Sequence, residues 1–309
     1  MSSGYRAPST TAARIAAGFL SPSGGMARLA VFCYHRVLES PDPRRPEEPT
    51  VEEFTEDVSL IASTFNVLTF GEAAERLAQG NLPARAACIT FDDGYVDNFA
   101  IAAPVLRAFG VPATIFVCGG AIDTGIMWND LVIEAHSRET VHDLSGGIQG
   151  ELDAIKYSPV DERWERAMRR FRDADIGDYP RLMMTREMVR QLSEDGFEIG
   201  GHTINHPILA VISEESARRE IESSYEWVSE TTGLAPRSFA YPNGIPGHDF
   251  AGNHERMVHE AGYSAAVSTQ WAIATPKSNP FSLPRIGPWW RQGRGLTMGA
   301  VRAYVKSHI

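Results

Sequence analysis

Cysteine is scarce in this sequence: three residues in 309, Cys33, Cys88 and Cys118, each inside an apolar stretch that reads as a strand. That argues against a disulfide framework, because a free thiol in such a setting acts as a small hydrophobe. An excess of positive charge is also missing. The formal net charge of -10 argues against nucleic acid or an anionic membrane as a general partner and leaves a neutral substrate as the better fit. No apolar run approaches the roughly 20 residues that a membrane-spanning helix requires. A convincing leader is missing as well: Ile15 to Leu20, behind Arg6 and Arg14, is too short and too glycine-interrupted, so the expected location is cytoplasmic. There is no internal repeat and no low-complexity tract.

What is present is a rhythm. Strand-like runs at Leu29–Tyr34, Asn66–Thr69, Ala86–Phe91, Ala113–Cys118, Phe197–Gly200, Ser238–Tyr241, Ser264–Ser268 and Leu283–Ile286 alternate with helix-like segments. Thr50 with Glu53 forms a capping box ahead of Phe54, Val58 and Ile61, and Ser213 opens the helix through Ala217, Ile221 and Val228. Gly80, Gly110, Gly196, Gly233 and Gly262 stand where helices should stop. This is the α/β pattern of a mostly parallel sheet wrapped by helices in a single domain spanning 1–309. Periodicity alone fits a closed barrel or an open doubly wound sheet. Ala121 to Met184 breaks the rhythm, being charged and without a clear strand. It reads as a helical insertion, either a surface decoration or a lid that shapes the substrate site.

Two constellations carry chemistry. In Thr90-Phe91-Asp92-Asp93-Gly94-Tyr95 a strand ends on adjacent carboxylates, at the end where parallel α/β folds place their active sites. Consecutive side chains on extended backbone point to opposite sides, so the two aspartates can serve different roles, one on a metal and one on a water. In Gly200-Gly201-His202-Thr203-Ile204-Asn205-His206-Pro207 two histidines four residues apart can converge on one ion. One added carboxylate makes a His₂Asp set with positions open for water, the pattern of a catalytic zinc site. Cobalt, nickel or iron would bind the same ligands.

Thr90–Gly94 and Gly201–Pro207 resemble the first two motifs of the NodB-type polysaccharide deacetylases, carbohydrate esterase family 4. The likeness runs from Ala30 to Ile286, with Ala121–Met184 outside it. It implies a distorted (β/α)7 barrel, one divalent metal held by Asp93, His202 and His206, and Asp92 as catalytic base. The substrate it implies is an N-acetylated amino sugar of a polysaccharide or its precursor. Ser238-Phe239-Ala240-Tyr241-Pro242-Asn243-Gly244 is similar to the third motif, which places Tyr241, Pro242 and Asn243 against the substrate and assigns an oxyanion-binding amide to Asn243.

The sequence also departs from the family pattern. Ala240 stands where most relatives have an arginine that orients the catalytic aspartate, and Arg285, at the end of the last strand, is the candidate replacement. The histidine that many relatives place near that strand as general acid is missing, and His35, in Tyr34-His35-Arg36, is the candidate for that role. Trp289-Trp290 and Trp128 could each stack on a sugar or serve packing. Arg163, Arg166, Arg169, Arg170 and Arg172 alternate with acidic residues and read as a solvated helix face. Two other functions share these features: hydrolysis of another amide, such as a cyclic ureide or imide, and carbohydrate binding without turnover.

Overall fold

The structure is a computed structural model and describes residues 21–137 and 147–287. Trp289, Trp290 and the segment before Ser21 lie outside them. Strands β1 (Leu29–Tyr34), β2 (Asn66–Val67), β3 (Ala86–Phe91), β4 (Thr114–Val117), β5 (Glu198–Gly201), β6 (Ser238–Ala240), β7 (Ala265–Trp271) and β8 (Leu283–Arg285) fall within a few residues of the expected runs. All pair in parallel in the order β1-β3-β4-β5-β6-β7-β8, while β2 pairs with the lower part of β3. Ile286 closes the ring, its amide donating to the Val31 carbonyl at 2.7 Å and its carbonyl accepting from Cys33 at 3.0 Å. Seven staves therefore form the (β/α)7 barrel, and the open doubly wound alternative is excluded.

Apart from Glu198 and the last three residues of β7, the staves are buried on both faces. In β1 and β3 alternate residues separate cleanly: Leu29, Val31, Ala86 and Cys88 join Phe116, Ala240, Val267 and Leu283 in the barrel interior. Ala30, Phe32, Tyr34, Ala87, Ile89 and Phe91 pack under the outer helices, among them α1 (Val51–Thr64), which presents Phe54, Val58 and Ile61. The capping box opening α1 is formed, Thr50 and Glu53 exchanging hydrogen bonds. Helix α2 (Phe70–Ala78) plugs the barrel floor with Phe70, Ala73 and Leu77. The Glu198 carboxylate accepts from the Gly71 amide at the start of α2 and from Ser238, each at 2.8 Å.

Helix α3 (Ala103–Phe109) follows a single π-helical turn, Asn98–Ala102, and leads to β4. Between β4 and β5 lie α4 (Gly119–Thr124), α5 (Trp128–Ala135), α6 (Gly147–Ile155), α7 (Val160–Asp173) and α8 (Arg186–Glu194). Helices α5 to α7 share a small apolar core of their own, built on Leu131, Val132, Ile155, Ala167 and Phe171. Buried ion pairs tie α5 to the loop after β1, with Arg45 on Asp130 at 3.1 Å and on Glu134 at 2.7 Å. Helices α9 (Glu214–Thr232) and α10 (Gly252–Glu260) complete the wrapping.

The glycines of β5 are packing requirements. A Cβ at Gly201 would lie 2.0 Å from the Tyr263 hydroxyl, itself buried and bonded to Ser224 at 2.8 Å. Gly201→Ala should therefore lower stability by about 1–3 kcal/mol through overpacking, measured by urea unfolding.

Candidate active site

Side-chain alternation carries each inward row past the end of its strand. Ala86, Cys88 and Thr90 lead to Asp92, Leu29, Val31 and Cys33 lead to His35, Gly200 leads to His202, and Leu283 leads to Arg285. The residues singled out in four separate stretches of sequence thereby meet at one mouth of the barrel.

Asp92 and Arg285 are 3% and 1% exposed and form a fork-to-fork pair, Nη1 donating to Oδ1 and Nη2 to Oδ2, both at 2.7 Å. Arg285 Nε donates to the Ser268 carbonyl at 3.1 Å, which fixes the guanidinium plane from behind. Burial alone would raise the Asp92 pKa, but the Arg285 guanidinium overrides it and holds the carboxyl well below the usual range. Ala240 also faces inward, so the guanidinium reaches this aspartate from the last strand instead of from position 240.

Strict alternation would send Asp93 to the outer face. Left-handed backbone at Asp93 (φ 74°) and Gly94 (φ 92°) returns it to the mouth, where its Oδ1 stands 3.4 Å from His202 Nε2 and 3.5 Å from His206 Nε2. The three ligand atoms lie within 4.8 Å of one another. His202 Nδ1 donates to the Ala240 carbonyl at 2.7 Å, leaving Nε2 with a free lone pair in the neutral ring. Burial pushes His206 down to about 3, so this ring is neutral near pH 7. Asp93 Oδ1 is buried and accepts no well-formed hydrogen bond. A carboxylate oxygen held against two imidazole nitrogens without a donor is costly unless a cation joins them. The residues fit a divalent ion.

A second cluster, Cys33, His35 and Asp92, also brings its ligand atoms within 4.8 Å. Arg285 already neutralises Asp92 there, and burial raises the Cys33 thiol far above its ordinary pKa, so this group suits a proton donor better than a second ion. His35 is half-buried beside Asp92.

The described residues include six non-glycine positions with left-handed φ, and four of them, Asp93, Thr203, His206 and Asn243, belong to the three motifs. At Thr203, a β-branched residue, this conformation is expensive and is held by its surroundings. The Glu220 carboxylate accepts from the amides of Ile204 and Asn205 at 2.8 and 2.9 Å, and Arg163 of α7 donates to the carbonyls of Asn205 and His206 at 2.9 and 3.1 Å. Neither Arg163 nor Glu220 stands out as functional in the sequence. Arg163 also corrects the reading of its run as a solvated face, being 2% exposed and lying over the Trp128 ring. Its place four residues before Ala167 and eight before Phe171, the other buried residues of α7, was the available signal.

The third motif divides. Tyr241 is a core residue: its ring stacks on Phe250 at 3.6 Å and its hydroxyl donates to the Phe281 carbonyl at 3.0 Å, so the side chain is turned away from any substrate. Pro242 is buried and has no amide proton to offer. Asn243, left-handed and fixed through its carbonyl by Thr269 at 2.8 Å, retains an amide that donates to no group among the described residues.

A parallel α/β barrel with a His₂Asp cluster and a second aspartate at its mouth is the arrangement the structure presents. Residues 79–266 match the family model described as polysaccharide deacetylase, and the chain belongs to that family, of NodB type. The protein YxkH of Bacillus subtilis (strain 168), which carries the same family description, is 22% identical over 283 residues, 91% of this chain and 77% of that one. The poly-beta-1,6-N-acetyl-D-glucosamine N-deacetylase of Staphylococcus aureus (strain MRSA252) is 22% identical over 71% of this chain, which spans 60% of that enzyme. Among solved structures, the Streptococcus pyogenes deacetylase PplD in complex with acetate superposes with a TM-score of 0.64 at 17% identity, covering 90% of this chain and 99% of that one. That likeness shows the fold.

The Asp92 and Arg285 pair yields a stability prediction. Arg285→Ala leaves a buried carboxylate uncompensated and should cost about 3–5 kcal/mol, measured by urea unfolding; an unchanged midpoint would mean that the pair is not formed.

Proposed function

We propose that this protein is a metal-dependent N-deacetylase acting on acetylated amino sugars of a polysaccharide or its precursor. The observation that carries the reading is the donorless Asp93 Oδ1 facing two imidazole nitrogens, with an oriented carboxylate next to it in sequence. Family membership supports the acyl chemistry, and the Staphylococcus aureus relative, named for removing N-acetyl groups from a glucosamine polymer, supports the substrate class.

Asp93, His202 and His206 would hold the ion, zinc suiting the set and cobalt, nickel or iron remaining compatible. When bound, a divalent cation supplies the Lewis acidity that polarises an acetyl carbonyl and acidifies the attacking water. Asp92 takes the proton of that water as its oxygen bonds to the acetyl carbon. Arg285 donates to both Asp92 oxygens and the Cys33 thiol donates to Oδ2 at 3.8 Å, which leaves a lone pair on Oδ1 for the proton and fixes the carboxylate plane. The Asn243 amide donates to the oxyanion as the carbonyl opens. Breaking the C–N bond then requires a proton on the departing nitrogen. His35, beside Asp92, gives it, so that acetate and a free amine leave. The non-catalytic reading is motivated by Ala240 and by the missing histidine of the last strand; the Arg285 fork answers the first of these.

Two variants separate the roles. Asp92→Asn should reduce acetate release by about 10²–10⁴-fold while retaining metal on elemental analysis. His206→Ala, exposed to the same zinc, should lose most of the roughly one equivalent held by the wild type. Undiminished turnover in Asp92→Asn would rule out the assigned base. Equal metal in His206→Ala and wild type would rule out the ligand set.

A further inference from the structure

The residues of the mouth are held in different ways. A guanidinium fork fixes the Asp92 carboxylate and a carbonyl fixes the His202 ring, whereas His35 is gripped through the backbone that follows it. The Asn98 side-chain amide donates to the His35 carbonyl at 2.8 Å, and the Arg36 amide donates to the Glu48 carboxylate at 3.1 Å. Asp97 accepts from the Val37 amide at 3.2 Å on Oδ1 and from Arg36 Nε at 2.8 Å on Oδ2. Both peptide groups after His35 are thereby tied down. The Arg36 guanidinium also lies 4.6 Å over the Tyr95 ring and 4.0 Å from Asp130 of α5, so the chain after His35 cannot swing without breaking a buried ion pair.

The holders come from a telling place. Asp97 and Asn98, 5% and 1% exposed, stand on the same turn as Asp92 and Asp93, where it enters the π-helical turn Asn98–Ala102. Such turns are rare and recur at functional sites. The Asn98 amide donates to the Tyr95 carbonyl at 3.0 Å, which keeps the turn in one piece. The distance from Asp92 to the His35 loop is therefore set within one short stretch of chain and not through the barrel wall.

We propose that Asp97 and Asn98 are positioning residues for the leaving-group proton: by fixing the backbone after His35 they hold its imidazole beside Asp92. One turn, residues 92–98, then carries the base, a metal ligand and the groups that place the acid. The proposal rests on the deacetylase reading above, with His35 as the proton donor. The step served is transfer of a proton from the His35 ring to the amide nitrogen as the C–N bonding pair moves onto that nitrogen, so that a neutral amine leaves.

The test uses the full zinc-loaded chain and two substrates. An N-acetylglucosamine oligomer has an amine that must be protonated to leave, whereas the phenolate of p-nitrophenyl acetate departs with the C–O pair and needs no proton. Asn98→Ala and Asp97→Asn should each lower amide turnover by about 10²-fold relative to aryl acetate turnover. Asp97→Asn keeps the side-chain shape and an acceptor for Val37, so it carries the test if urea unfolding shows that Asn98→Ala does not fold. Added to His35→Ala, either change should cause no further loss on the amide, because both remove one function. Equal losses on the two substrates, or losses that multiply in the double variant, would mean a purely structural role and overturn the proposal.

A second readout needs no turnover. By NMR of protein carrying labelled histidine, the His35 ring signals, identified by their loss in His35→Ala, should move in both variants while those of His202 and His206 stay. His35 signals unmoved in both would overturn the proposal. Moved signals in a protein that releases no acetate from any oligomer would support the positioning and overturn the deacetylase reading.

Discussion

Two carboxylates adjacent in sequence can share the buried mouth of a barrel only if each faces positive charge, because neither burial nor mutual repulsion favours the ionised pair. The structure answers the two aspartates differently. Asp92 receives a guanidinium whose plane is pinned by Ser268, and Asp93 receives two imidazole nitrogens and no donor. One carboxylate is compensated by a guanidinium of the chain, and the other faces imidazole nitrogens without a hydrogen-bond donor. The left-handed turn at Asp93 creates this division, since an extended backbone there would have placed the second carboxylate among the outer helices.

The barrel was legible because its staves are short, buried on both faces and punctuated by glycine and capping residues, so that all eight strands fall close to the expected runs. The choice between a closed and an open sheet was not, since it depends on Ile286 bonding back to β1, across most of the chain. Asp92, Asp93, His202, His206, Arg285 and His35 could be picked out as single residues at strand ends. The convergence of Asp92, His202, Arg285 and His35 follows from inward parity once the ring is closed, whereas Asp93 and His206 reach the mouth through left-handed backbone. Tyr241 misled the reading because proximity to a functional turn in sequence says nothing of which way a ring points. Its neighbour Asn243 contributes backbone, and backbone direction is set by a φ that no residue type announces except glycine.

Arg163 shows the same limit from the other side. A residue type that normally marks solvent lies buried on the apolar face of α7, and its partners are carbonyls of a loop about forty residues later. Carbonyls carry no sequence signal. The helix face was readable from Ala167 and Phe171, but what stood opposite it was not.

The clamp on the His206 loop gives the insertion a mechanical connection to the chemistry. Glu220, on the wrapping helix α9, satisfies the loop's amides, while Arg163, on the inserted helix α7, satisfies its carbonyls, so the strained backbone at Thr203 and His206 is held from both sides. Arg163 bears on the metal loop and on a cavity beside His206 at once, and burial lowers its pKa to about 10 without discharging it near neutrality. A segment that only covered the surface would have no reason to bury a guanidinium at that junction, since desolvating it costs more than the same helix would spend on an alanine there. The cost is intelligible if Arg163 is needed to hold the carbonyls of Asn205 and His206, and with them the strained backbone of that loop, in place.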